Sequence, residues 1–189
     1  MTKTIFISIL LGILFFSNIA EAQDSTQVDV KQDTIRFNYN QVILDTNIEK
    51  AILIGYCTED GLRTSPIFSN YFEKEYVHYQ PKLDFLETLT ESFNQVRIVV
   101  VFGSWCSDSQ REVPRLMRIL DEMNYPLDSL TIIGVNRLKT VPDIDISRLM
   151  IEYVPTIIFY KGDFEIGRIV EAPLETLEDD IASILMKAF

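Results

Sequence analysis

The chain has 189 residues, 47% of them apolar and 24% charged, with 28 acidic against 17 basic side chains and a net charge of −11. That is an ordinary composition for a globular protein able to bury a core, and the acidic balance argues against nucleic acid and anionic membrane surfaces as partners. There is a single histidine, His78, with no Gly-rich phosphate loop and no cluster of ligating side chains, so the sequence suggests neither a metal nor a cofactor.

Residues 1–22 read as a signal peptide: Lys3 supplies the positive start, Ile5 to Phe16 the apolar core, and Ala20-Glu21-Ala22 a small-residue cleavage site. The alternative is an uncleaved anchor, but the apolar core is short of the about 20 residues a bilayer span needs. Cleavage would leave Gln23 as the first residue, with no stable membrane insertion. The mature protein would then work in an exported, periplasmic or otherwise extracytoplasmic compartment, where conditions are oxidising. Residues 23–34 are polar and aperiodic. Ile35-x-Phe37-x-Tyr39, Val42 to Leu44 and Ala51 to Ile54 read as short strands, with Asp45-Thr46-Asn47 as a turn. Cys57 precedes a further turn signal, Asp60-Gly61. The aromatic stretch Phe68 to Tyr79 reads as cover for a sheet. Residues 23–81 are therefore expected to form an N-terminal extension.

From residue 82 the pattern sharpens. Pro81 suits the first position of a helix, and Leu83, Leu86, Leu89 and Phe93 recur at helical spacing. Ile98 to Phe102 is an apolar run without polar alternation, as in a strand buried on both faces. It breaks at Gly103-Ser104 and delivers Trp105 and Cys106 to the start of a helix, whose stripe is Val113, Leu116, Met117, Leu120 and Met123. Pro114 should kink that helix. Leu130 to Val135 reads as a second buried strand, parallel to the first. A polar loop over residues 137–148 leads to a short helix near Ile146–Ile151. Thr156 to Tyr160 and Glu165 to Val170 read as a hairpin across Lys161-Gly162-Asp163. Leu174, Leu177, Ile181, Ile184 and Leu185 mark a closing helix.

A thiol at a helix start meets free backbone N–H groups and the positive end of the helix dipole, which favour the thiolate. Arg111 acts in the same direction, Asp108 in the opposite one, and the Ser109 hydroxyl one turn on is a candidate donor to the sulfur. The alternative is a buried structural cysteine beside a core tryptophan.

The stretch Phe102-Gly-Ser-Trp-Cys-Ser-Asp-Ser109 resembles the strand, Trp-Cys-x-x-Cys and helix start of the thioredoxin superfamily. Val154-Pro155-Thr156, followed by Ile157 to Tyr160 and Lys161-Gly162, resembles that family's Ile-Pro-Thr–strand–Asn-Gly stretch. With the leader, the likeness is to exported bacterial thioredoxin-like proteins. It covers roughly residues 82–189 and implies an α/β fold, a mixed sheet flanked by helices, with a cis proline at Pro155 against a reactive Cys106. Two departures stand out: the family's second cysteine is Ser109, and its buried acid falls on Val100.

The resemblance implies a thiol–disulfide oxidoreductase of monothiol (Cys-x-x-Ser) type. Cys106 would be the nucleophile, with Ser109 and Trp105 beside it, while the Val154 and Pro155 backbone receives a client chain. A monothiol forms a mixed disulfide that something else must resolve: a second client thiol, an unidentified external reductant or partner, or Cys57 as a resolving thiol. Its partners would be client proteins carrying thiols or disulfides. The rival expectation is a redox-inactive thioredoxin-fold module that binds peptides or acts as a chaperone.

Overall fold

The structure, a computed structural model, describes residues 38–189. The signal-peptide and cleavage-site readings, and the Ile35 and Phe37 part of the first strand reading, lie outside those residues.

Six strands form one mixed sheet in the order β1-β2-β4-β3-β5-β6. β1 (Gln41–Asp45) and β2 (Lys50–Cys57) are an antiparallel hairpin. Its turn is held by Asp45, whose Oδ1 accepts from the Asn47 N–H at 2.8 Å. β2 then runs antiparallel to β4 (Leu130–Gly134), with Gly55 opposite Gly134 and Cys57 opposite Ile132. β3 (Arg97–Phe102) lies at the centre, parallel to β4 and antiparallel to β5 (Thr156–Lys161). β6 (Phe164–Val170) closes the edge, joined to β5 by a turn in which Gly162 takes a φ of +58° that a side chain would resist. The unit β3–helix–β4 followed by β5–β6–helix is the thioredoxin-like core.

Because side chains alternate along a strand, β3 feeds two cores. Ile98, Val100 and Phe102 point to one face, and Val99 and Val101 to the other. The first face is covered by helices: α1 (Glu59–Thr64), α2 (Ser69–His78), α3 (Thr90–Phe93), α4 (Ser107–Glu122) and α5 (Leu177–Ala188). Phe68, Phe72, Phe93 and Phe102 are fully buried there. Each aromatic removed from water is worth roughly 1.5–3 kcal/mol. The second face is covered by the irregular segment 136–154, which contributes Val141, Ile146 and Val154 and contains a single 3-10 turn, Ser147–Leu149. Pro142, Asp143 and Asp145 leave that segment without a helical stripe.

Several expectations need correction. Residues 38–81 are not an appendage to a domain that begins at 82. Their hairpin extends the sheet, and Leu53, Leu62, Phe68 and Phe72 share one core with α4 and α5. The buried Glu178 of α5 accepts from the Lys82 N–H at 2.7 Å and the Tyr79 hydroxyl at 2.8 Å, joining the two sides of the expected boundary. Asp60-Gly61 is inside α1, started by the Thr58 side chain accepting from the Gly61 N–H. The stretch 68–79 is mostly helix α2. Between Leu83 and Phe93 no single helix forms: a 3-10 turn, Leu86–Leu89, precedes α3. Thr88 and Thr90 turn their hydroxyls back onto the Phe85 and Glu87 carbonyls at 2.6 and 2.7 Å, which competes with regular helix bonds. Leu174 precedes α5 and is 94% exposed; the helix begins at its cap Thr176.

Candidate functional site

β3 ends at Phe102, and the chain turns sharply into α4. Gly103 makes the turn possible, because a Cβ there would lie 2.6 Å from the Trp105 ring. The Ser104 hydroxyl accepts from the Leu53 N–H at 3.0 Å, in the part of β2 that extends past the end of β4. The Gln110 amide donates to the Ser104 carbonyl at 2.8 Å. Trp105 donates its indole N–H to the Val135 carbonyl at 2.9 Å, which fixes the ring over the end of β4.

Cys106 is the residue immediately before α4, in extended conformation, and is partly exposed. Its sulfur does not take the helix cap bond. It donates instead to the Val154 carbonyl at 3.2 Å. The Val154–Pro155 peptide is cis. The Pro155 carbonyl accepts from the Glu171 N–H at 2.8 Å, and the Thr156 hydroxyl donates to the Tyr153 carbonyl at 2.7 Å, so both sides of this segment are fixed. Trp105, Cys106, Val154 and Pro155 are thus brought to the C-terminal end of β3.

Ser109 is fully buried, and its hydroxyl accepts from the Gly103 N–H at 3.1 Å. No hydrogen bond links it to Cys106, so the expected donation to the sulfur is replaced by a bond that ties the first turn of α4 to the end of β3. Arg111 pairs with Asp108 at 3.0 Å and with the buried Glu112 at 2.5 Å. The two charges expected to act on Cys106 in opposite senses therefore act largely on each other.

Cys57 cannot resolve an adduct on Cys106. β2 runs antiparallel to β4, which places its last residue level with Val100 near the middle of β3, whereas Cys106 lies beyond the C-terminal end of β3. The two sulfurs also face opposite cores. Cys57 is 5% exposed, and burial pushes its thiol up to about 12.

Sequence reading missed Arg137. Its guanidinium carbon lies 4.5 Å from the centre of the Trp105 ring, and its side chain is exposed. No local pattern announces this contact, because 32 positions separate the two residues. Among the described residues no group of three or more His, Cys, Asp or Glu could hold a metal ion, and no helix is long and apolar enough to cross a membrane.

No family model matches the chain, and no curated protein matches it. Solved structures with some likeness include a protein of unknown function from Pseudomonas aeruginosa, at 19% identity, covering 64% of this chain and 80% of that one with a TM-score of 0.39. Another is the thioredoxin of Fasciola hepatica, at 15% identity, covering 55% of this chain and 90% of that one with a TM-score of 0.35. A third is Trxlp of Edwardsiella tarda, at 20% identity, covering 56% of this chain and 95% of that one with a TM-score of 0.35.

Proposed function

We propose that this thioredoxin-fold protein is an exported monothiol oxidoreductase that exchanges disulfides with client proteins at Cys106. One observation carries the reading. A partly exposed thiol stands at the start of a helix against a fixed Val154–Pro155 segment, with a buried serine one turn on and the other cysteine at a different level and on the other face of the sheet. In the reaction, the Cys106 thiolate attacks one sulfur of a disulfide. A bond from Cys106 to that sulfur forms, the original sulfur–sulfur bond breaks, and the other half leaves as a thiolate that takes up a proton. An extended client segment would replace the thiol as donor to the Val154 carbonyl, in the manner of strand addition. Resolution falls to a client thiol or an external reductant. The leader-like residues 1–22 support export.

The rival reading, a module that holds peptides without turnover, draws on the sulfur's hydrogen bond to Val154, which requires the proton to stay on sulfur. Insulin reduction with an external dithiol separates the two. Wild type is expected to be slow, Ser109→Cys to be faster by about tenfold or more by closing an intramolecular disulfide, and Cys106→Ala to be inactive. Wild type as fast as Ser109→Cys would contradict the monothiol reading. Inactivity of Ser109→Cys would favour the peptide-holding module.

A further inference from the structure

We propose that Arg137 makes Cys106 selective for disulfides that carry carboxylates. The inference rests on the exchange activity proposed above and adds its substrate class. In this acidic protein most arginines of the described residues are committed: Arg63, Arg111, Arg115, Arg118 and Arg168 each lie in an ion pair with a carboxylate. Arg137 is in none. It is exposed and lies on the face of Trp105, the residue directly before the nucleophile.

Its position is fixed by the turn that carries it. The Arg137 N–H donates to Asp45 Oδ2 at 3.0 Å, and the Asn136 side chain accepts from the Leu138 and Thr140 N–H groups at 2.9 and 3.0 Å. Trp105 is itself anchored to Val135. A guanidinium stacked on an indole keeps its N–H edge open to a ligand while the ring restricts its motion. The two carboxylates close by are already engaged. Asp45 is buried, its oxygens accept from the Arg137 and Asn47 backbones and from the Asn47 side chain, and the Arg137 charge acts on it only through space, as the least of the causes that lower its pKa. Asp108 is paired with Arg111. The Trp105 side of the site therefore presents a positive charge held in no ion pair to the charged groups of an incoming disulfide.

The test measures the rate of mixed-disulfide formation on Cys106 with three probes: oxidised glutathione, which carries carboxylates; neutral bis(2-hydroxyethyl) disulfide; and cationic cystamine. One unit charge several ångströms away in water changes such a rate by about threefold. Arg137→Gln should slow the glutathione reaction by about threefold and Arg137→Glu by about tenfold, with cystamine moving the other way and the neutral probe unchanged. Raised salt should compress these differences. Lys187→Gln, on the last turn of α5, changes the net charge equally and should alter none of the three rates. If the three probes respond alike to Arg137 substitution, the selectivity is refuted while the exchange activity stands. If wild type forms an adduct with no probe, the exchange reading fails and the selectivity falls with it.

Discussion

Cys57, the last residue of β2, and Cys106, the residue before α4, meet opposite surroundings. Cys106 is partly exposed, with its sulfur on a carbonyl at the C-terminal end of β3. Cys57 is buried in the core that also holds Leu53, Leu62 and Ile132, with its sulfur 3.6 Å from the Gly55 carbonyl. Burial raises its thiol to about 12, against about 8.5 for a free thiol. Between those values the unfolded chain releases this proton and the folded chain keeps it. Stability is therefore fully supported below pH about 8.5 and declines as pH rises toward 12, by at most about 1.4 kcal/mol per pH unit from this group. Burial also raises Tyr79 and Tyr125, which add to the alkaline decline at higher pH. Cys57→Ala should cost about 1 kcal/mol at neutral pH and flatten the decline between pH about 9 and about 11. Denaturant unfolding at a series of pH values reads this directly, and an unchanged slope would refute the burial assigned to Cys57.

At the scale of elements, what the sequence revealed depends on how locally each element is determined. α4 was legible because Val113, Leu116, Met117 and Leu120 form its buried stripe without help from elsewhere. β3, β4 and the β5–β6 hairpin were legible as apolar runs between turn residues. α2 was not read as a helix, although Phe68, Phe72, Tyr76 and Tyr79 recur at helical spacing on its core side; the exposed Tyr71 and Val77 beside them blur that stripe. The helix expected over residues 83–93 gave way to threonine hydroxyls that bond back to the chain.

The link between β3 and α4 depends on space as well as bonds. A Cβ on Gly103 would meet the Trp105 ring at 2.6 Å, so the ring or the turn must move. Gly103→Ala should cost about 1–3 kcal/mol and weaken the indole bond to Val135. Trp105 is the only tryptophan, so its emission reports the change without ambiguity. A shift to longer wavelength with a lowered melting temperature is expected. Unchanged emission and stability would mean that the close approach is not what holds the ring.

Across the whole molecule, the expected division at residue 81 fails because apolar spacing reports faces of elements, not which element covers them. α2 and α4 are joined by Arg115 on Glu75 at 2.7 Å, and Arg63 of α1 reaches Asp121 of α4 at 3.1 Å. Exposed pairs of this kind contribute about 0–1 kcal/mol each, so the apolar contacts of Phe68, Phe72 and Leu62 supply most of the cohesion. The candidate site was legible where the chain writes it contiguously, at Trp105-Cys106 and Val154-Pro155. Arg137 and Ser104 escaped because their partners, Trp105 and Leu53, are met through the sheet: Ser104 is 51 positions from Leu53. The same topology sets the two thiols apart, and the proposed monothiol chemistry rests on that separation and on Ser109.

Intact mass after exposure of the reduced, native protein to bis(2-hydroxyethyl) disulfide tests this most directly. One mercaptoethanol adduct is expected, mapped to Cys106 and absent from Cys106→Ala. A protein that stays unmodified, or that carries its adduct on Cys57, would contradict exchange at Cys106.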